Sequence, residues 1–413
     1  MDGIKNSYLS VCTEFQLPVN SYVLQVLQDT EGTTRDIVLK LTGNNRLREV
    51  QRLNDSDVFI LSKTLRNNFT IKGLDLRYNS ITDQGAAHLS DLIQENKALQ
   101  SLDLMCNDIK ADGAEVIAKS LQKNGTLKSL RMTGNKIGNK GGMHFASMLQ
   151  VNTTLESLDL SDCDLDTQSL TAFSIVLTNN RSVRSINLSR PLLFSLQEET
   201  TVHTARMLVM NKSLRELHLG KHGMTDSGLE RLCEALKLNA TLSYLDLRCN
   251  RITRDGAKCL AEVLKQNSSL EILDLSSNRI EDDGAVYFSE ALTRPECKLK
   301  ALSIPFNNIG TVGLLSLSRA MKMNCCLTHI YIWGNKLEEP VCEAFSQLIQ
   351  SGQLLEGHTD VSPYVVDGRM CLAEVFHGLR RHYYWTPSYG EDGDPACNAA
   401  LALNTSLDDS ESP

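Results

Sequence analysis

The sequence predicts an α/β solenoid, a horseshoe with a parallel sheet on its concave side and helices on its convex side, from three observations. A 28-residue period runs from Ile71 to about Leu348, with apolar residues at positions 1, 4 and 6, Asn at 9, an apolar residue at 11 and Gly at 15. The Leu-x-Leu step at positions 4 and 6 has the two-residue alternation of a short strand with one face buried. The second half of each unit spaces its apolar residues three and four apart, which is helical periodicity.

The clearest copies are Leu99, Leu102, Leu104, Asn107, Ile109, Gly113 and Leu242, Leu245, Leu247, Asn250, Ile252, Gly256. The register restarts at Leu127, Leu155, Leu214, Leu270, Leu299 and Leu327. In each copy the strand comes first, and the Asn after it turns the chain and bonds backbone along the stack. An amphipathic helix follows, as in Asp112–Asn124, and a helix-stopping Asn or Gly closes the unit. One unit cannot bury its own leucines, whereas stacked neighbours share a continuous core.

The pattern at Leu74, Leu76, Asn79, Ile81, Gly85, Leu89, Leu92 and Asn96 resembles the consensus of the ribonuclease-inhibitor-like class of leucine-rich repeats, over about 280 residues. The resemblance implies the horseshoe fold. It does not select a function, because the class includes inhibitors, Ran-type GTPase activators, innate-immune sensors and cytoskeletal or axonemal components.

Residues 1–68 read as an N-terminal cap. Tyr8, Leu9, Cys12, Phe15 and then Tyr22, Val23, Val26, Leu27 mark two short helices separated by Pro18, and 37–68 read as a degenerate first repeat. Residues 69–350 hold ten repeats. The repeat starting at Val183 is longer, 31 residues to Leu214, and its turn is replaced by Ser189-Arg190-Pro191-Leu192-Leu193-Phe194, which predicts a bulged convex surface. Residues 351–389 read as a C-terminal cap with a helix through Leu372, Val375, Phe376 and Leu379, followed by Arg380-Arg381-His382-Tyr383-Tyr384-Trp385. The polar stretch 390–413 is expected to be disordered.

A net charge of −8 over 413 residues argues against a basic nucleic-acid face and is compatible with a protein partner carrying a basic surface. The 12 cysteines are scattered without zinc-site spacing, and no segment reads as a signal peptide or a membrane span. The expectation is an intracellular protein, not secreted, cytoplasmic with a nuclear or nucleolar location as the open alternative, with reduced thiols, no cofactor, no metal, no membrane and no direct nucleic acid. Asn152-Thr153-Thr154, Asn239-Ala240-Thr241 and Asn267-Ser268-Ser269 imitate glycosylation acceptors but recur with the repeat. Gly134 to Gly141 imitates a phosphate loop, but its Asn135, Ile137 and Gly141 are repeat positions 9, 11 and 15.

Candidate binding residues follow from strand geometry, since positions 3, 5, 7 and 8 project to the concave side. Position 5 reads Asp75, Asp103, Arg131, Asp159, Asn187, His218, Asp246, Asp274, Ser303 and Tyr331, an acidic ladder interrupted by Arg131 and His218. Adjacent strands lie about 4.8 Å apart, so unscreened neighbouring aspartates repel one another and would attract a basic partner. Phe306, His329, Tyr331 and Trp333 predict an aromatic corner of the kind that dominates interfaces, with Arg77 and Arg248 next in rank. No catalytic constellation is legible. The sequence favours a non-enzymatic scaffold or adaptor, ahead of a Ran-type GTPase activator, whose long acidic tract is lacking, and of an architectural subunit of a cytoskeletal, axonemal or nuclear assembly.

Overall fold

A computed structural model describes residues 2–30, 37–45, 49–193, 198–267, 269–324 and 326–375. The chain forms two compact units that divide between Leu192 and Leu193.

The first unit opens with two helices, α1 (Asp2–Glu14) and α2 (Ser21–Asp29), and a first strand, β1 (Ile37–Lys40). Asn20 caps α2 by accepting from the Tyr22 and Val23 amides, and its own N–H donates to the buried Tyr8 hydroxyl at 3.1 Å. Helices and strands then alternate: α3 (Asp55–Leu65), β2 (Ile71–Asp75), α4 (Asp83–Glu95), β3 (Ser101–Asp103), α5 (Ala111–Leu121), β4 (Ser129–Arg131), α6 (Gly138–Leu149), β5 (Ser157–Asp159), α7 (Thr167–Leu177) and β6 (Ser185–Asn187). Strands β1 to β6 pair in parallel, each with the next, and successive helices pack side by side.

The second unit repeats this plan with α8 (Glu199–Met210), β7 (Glu216–His218), α9 (Asp226–Leu238), β8 (Tyr244–Asp246), α10 (Arg254–Leu264), β9 (Ile272–Asp274), α11 (Glu281–Leu292), β10 (Ala301–Ser303), α12 (Thr311–Met323), β11 (His329–Tyr331) and α13 (Glu339–Gln350). Strands β7 to β11 are again parallel and in sequence order. The predicted leucine-rich-repeat solenoid is therefore the observed architecture in both units.

Three devices hold the repeats in register. Leucines at positions 4 and 6, such as Leu102, Leu104, Leu245 and Leu247, are buried between sheet and helices. The Asn at position 9 forms a ladder: Asn107 Nδ2 donates to the carbonyls of Leu76 and Leu104, both at 3.0 Å, while its Oδ1 accepts from Ile81 N–H at 3.1 Å. A second ladder runs through the Asn that ends each helix. Asn152 Nδ2 donates to the Leu121 carbonyl at 2.7 Å and its Oδ1 accepts from Thr154 and Leu155. Asn152, Asn239 and Asn267 are all buried, so none of these triplets presents an accessible acceptor.

Position 8 adopts left-handed backbone in every repeat, from Tyr78 (φ 59°) through Gly134 (φ 76°) and Phe306 (φ 54°) to Gly334 (φ 77°). Eight of these ten positions are not glycine, so the turn imposes the conformation on whatever residue occupies it.

The insertion after β6 keeps Arg190 in this left-handed position, paired to Asp162 at 3.4 Å, and Leu192 N–H donates to the Leu165 carbonyl at 2.7 Å. Phe194 lies outside the described residues.

The C-terminal cap differs from the predicted helix. Leu372 lies in a strand, because 361–374 form an antiparallel hairpin, β12 (Val361–Val366) and β13 (Arg369–Glu374). Asp367 and Gly368, with φ of 50° and 79°, supply the two left-handed residues that a tight hairpin turn requires. The hairpin packs on α13 through the buried Val361 and Leu372. Phe376, Leu379, the Arg380–Trp385 cluster and the 390–413 stretch lie outside the described residues.

Candidate interaction surface

Because positions 4 and 6 of each strand are committed to the helix-side core, positions 3 and 5 stand on the opposite face. In the first unit position 3 reads Gly73, Ser101, Ser129, Ser157 and Ser185 on directly paired strands. The four serines are half-buried and form a shallow row of small polar groups. The sequence reading passed over this row, although the same period exposes it two residues before the ladder.

Beside it runs position 5, where the acidic ladder turns out to carry its own counter-charges. Arg77 grips the buried Asp75 carboxylate through Nε at 2.9 Å and Nη2 at 2.6 Å and reaches Asp103 at 3.5 Å. Arg131 lies between Asp103 at 3.4 Å and Asp159 at 3.6 Å. Asn187 continues the row by donating to Asp159 at 3.2 Å. The expected bare acidic strip is thus a row of alternating sign, since the arginines that sequence reading treated as interruptions or as a reserve site sit against the carboxylates.

The electrostatics are uneven. Burial pushes the Asp103 carboxyl up to about 6 against the opposing pull of Arg131. Burial acts in the same sense on Asp159, but Arg131 and the Ser161 hydroxyl outweigh it and hold that carboxyl below the usual range.

The second unit builds its face differently. Position 3 reads Glu216, Tyr244, Ile272, Ala301 and His329, and position 5 reads His218, Asp246, Asp274, Ser303 and Tyr331. Tyr244, Ile272, Ala301 and Tyr331 form one buried cluster. His218 stacks edge-on against Tyr244 with ring centres 4.8 Å apart and lies 3.3 Å from the Asp246 carboxylate and 3.8 Å from Glu216. Arg248 contacts Asp246 from its other side at 3.3 Å. Burial opposes the Asp246 charge, yet Arg248 and His218 prevail and hold its pKa down at about 2. Asp274 is buried with the Ser276 hydroxyl on its carboxylate, and that hydroxyl lies 2.8 Å from the hydroxyl of Ser303.

The four rings of the predicted aromatic corner occupy separate settings. Phe306 is 54% exposed in the left-handed turn after β10. His329 stacks on His358 with ring centres 3.7 Å apart, and burial together with His358 lowers its pKa to about 4. Tyr331 is consumed by the buried cluster, and burial raises its hydroxyl well above the usual phenol. Trp333 is half-buried, and its backbone N–H and that of Ile332 donate to the Asp360 carboxylate at 3.0 and 2.8 Å, which closes the strand edge.

Among the described residues no group of three or more His, Cys, Asp or Glu side chains is placed to hold a metal ion. No helix among them is long and apolar enough to cross a membrane.

Comparison with known proteins places these observations. The family described as Leucine Rich repeat matches residues 67–90, 95–118, 123–146, 151–174, 211–233, 238–261, 266–289 and 297–318. Leucine-rich repeat-containing protein 34 of Homo sapiens is 60% identical over 406 residues, spanning 97% of this chain and 88% of that one. The proteins of the same name from Rattus norvegicus and Mus musculus are 58% and 53% identical over 408 residues, each alignment spanning 98% of both chains.

Proposed function

Because the chain belongs to the leucine-rich repeat-containing protein 34 family, we propose that it is a non-enzymatic scaffold that grips protein partners through the strand faces of its repeats. The observation that carries this reading is the first-unit face. Its serine row is made of small side chains that the leucine core does not use. Beside it the aspartates place one carboxylate oxygen on the backbone amide two residues on, as Asp103 does on Met105 and Asp159 on Ser161, and turn the other to the arginines. The leucines, asparagines and glycines of the period, by contrast, are spent on the fold. A surface of small hydroxyls beside paired charges is suited to an extended polar segment or a loop of mixed charge, held by many modest contacts. Asp75, Arg77, Asp103, Arg131 and Asp159 would set register there. In the second unit His218, Asp246, Arg248, Asp274, His329, Tyr331 and Trp333 would frame the equivalent face, and Phe306 offers an exposed ring at its rim.

The test blocks the first-unit face without replacing any of its charged residues. Ser129→Arg with Ser157→Arg places two long side chains on the row, and circular dichroism reports whether the fold persists. In a quantitative pull-down the doubly substituted chain is expected to lose its partners at least tenfold relative to wild type, while Lys140→Ser on the helix side retains them. An unchanged partner list from the folded double variant sinks the strand-face reading.

A further inference from the structure

The buried face of the second unit indicates what it binds. Tyr244 is 2% exposed, Ile272 1%, Tyr331 4% and Asp274 0%, although all four stand on the face turned away from the helices. In the first unit the same face leaves Ser101, Ser129 and Ser157 half-exposed. Large rings withdrawn from water on the open side of a sheet belong with a covering segment. The surface specifies the chemistry of that cover, because an apolar centre bordered by the carboxylates of Glu216 and Asp274, with Asp246 already held by Arg248 and His218, matches aromatic side chains next to cations.

One stretch of this chain has that composition and starts in the right place. Phe376 to Tyr389 contains Arg380, Arg381, His382, Tyr383, Tyr384 and Trp385. It follows Val375, whose N–H donates to the Asp360 carbonyl at 2.9 Å, and the Asp360 carboxylate holds the backbone just after β11. The segment is therefore tethered at the edge of the face in question. Ten extended residues span roughly 33 Å, more than the roughly 20 Å across five strands.

We propose that the strand face of β7–β11 is a docking groove for an aromatic, arginine-bearing peptide segment, and that its occupant is the chain's own Phe376–Tyr389. The inference rests on the reading of strand faces as protein-binding surfaces and adds their regulation: the second face is self-occupied, so an external partner must displace a tethered competitor at an effective concentration on the order of millimolar.

The chain holds two tryptophans, Trp333 and Trp385, so Trp333→Phe in the full-length protein leaves Trp385 as the sole indole reporter. We expect blue-shifted emission and several-fold protection from acrylamide quenching, independent of protein concentration. Adding Arg380→Glu and Arg381→Glu, or separately Tyr331→Ala, should abolish both. The two arginine changes lie outside the repeats and leave the solenoid intact for circular dichroism to confirm. Solvent-like emission from the folded Trp333→Phe protein overturns the proposal. So does a buried Trp385 that neither set of changes releases, which puts the segment elsewhere, or protection that appears only as concentration rises, which makes the occupant a second copy. The readout needs no external partner, so it remains decisive even where the strand-face pull-down fails.

Discussion

The two units use one repeat to build two unlike strand faces. In the first unit position 3 is serine from β3 to β6, the position-5 row Asp75, Asp103, Arg131, Asp159 and Asn187 is interleaved with Arg77 from position 7, and the serine row stays half open. In the second, positions 3 and 5 carry Tyr244, Ile272 and Tyr331 among His218, Asp246 and Asp274, and the surface is buried. The core behind both faces is the same leucine lattice. Stacking thus fixes positions 4, 6, 9, 11 and 15 and leaves position 3 free to diverge, while position 5 varies around an Asp that accepts the amide two residues on, which is how a repeat array acquires different binding surfaces without altering its fold.

The largest expected consequence is in stability. Tyr244 and Ser157 occupy the same position of their repeats, yet Tyr244→Ala should cost about 3–5 kcal/mol, as removal of a buried ring does. Ser157→Ala should fall within about 0.5 kcal/mol of wild type, as for an open site. Urea unfolding followed by circular dichroism measures both. A cost below about 1 kcal/mol for Tyr244→Ala means that the second face is not the sealed surface described.

That contrast also marks how far the sequence could be read. Period and residue type announce the strands, the helices and the Asn ladder, because each depends on spacing within one repeat. The reason for Gly at position 15 was less accessible. Asp83 accepts from the Lys110 and Gly113 amides of the following repeat, and a Cβ on Gly113 would stand 2.5 Å from that carboxylate. An Asp two residues before the Gly, as in Asp83–Gly85 and Asp226–Gly228, is the signal for this inter-repeat cap. The self-neutralised ladder was partly legible, since Arg77 lies two residues from Asp75 on the same face of the chain. The burial of Asp274 was not, because it depends on side chains that sequence separates by whole repeats. The C-terminal hairpin was misread because the three-residue step from Leu372 to Val375 imitates a helix, while the decisive Asp367–Gly368 turn went unused.

Charge sharpens the comparison at the next magnitude down. Asp246 is held at about 2 in the folded chain, below the ordinary 3.8 expected when unfolded. A depressed carboxyl contributes stability that is present above about pH 4 and lost as pH falls through 2. By the usual equivalence the contribution is about 2 kcal/mol. Asp246→Asn should therefore destabilise by that order at pH 7, and the gap from wild type should close between pH 4 and 2. A gap that persists unchanged at pH 2 shows that the carboxylate's charge is not what holds His218 and Arg248.

Mild acid should also distinguish the units. His329, lowered to about 4 beside His358, stays neutral in the folded chain while the unfolded chain takes up a proton near 6.5. Between those values the unfolded state binds more protons, so stability is lost as pH drops from about 6.5 to 4, by on the order of 1–2 kcal/mol after allowance for solvent access. Hydrogen exchange should show the loss in β10 and β11 before it reaches β2 to β5, and His329→Gln should flatten it. Equal acid sensitivity in the two units contradicts the assignment to this stacked pair.

The smallest effect has the opposite sign and separates the two carboxylate environments most cleanly. Asp103 is raised to about 6 because burial outweighs Arg131, so the folded chain binds its proton more readily than the unfolded chain does between about pH 4 and 6. The stability from this raised group is present in acid and lost as pH rises through 6, leaving a charged carboxylate that the site tolerates at a cost. Asp103→Asn, uncharged at every pH, should gain on the order of 1 kcal/mol at pH 7 once its shift is discounted for a side chain that is 18% exposed, where Asp246→Asn loses. A loss above about 1 kcal/mol for Asp103→Asn would mean that Arg77 and Arg131 outweigh desolvation here too. The two faces would then differ in exposure but not in how they hold charge.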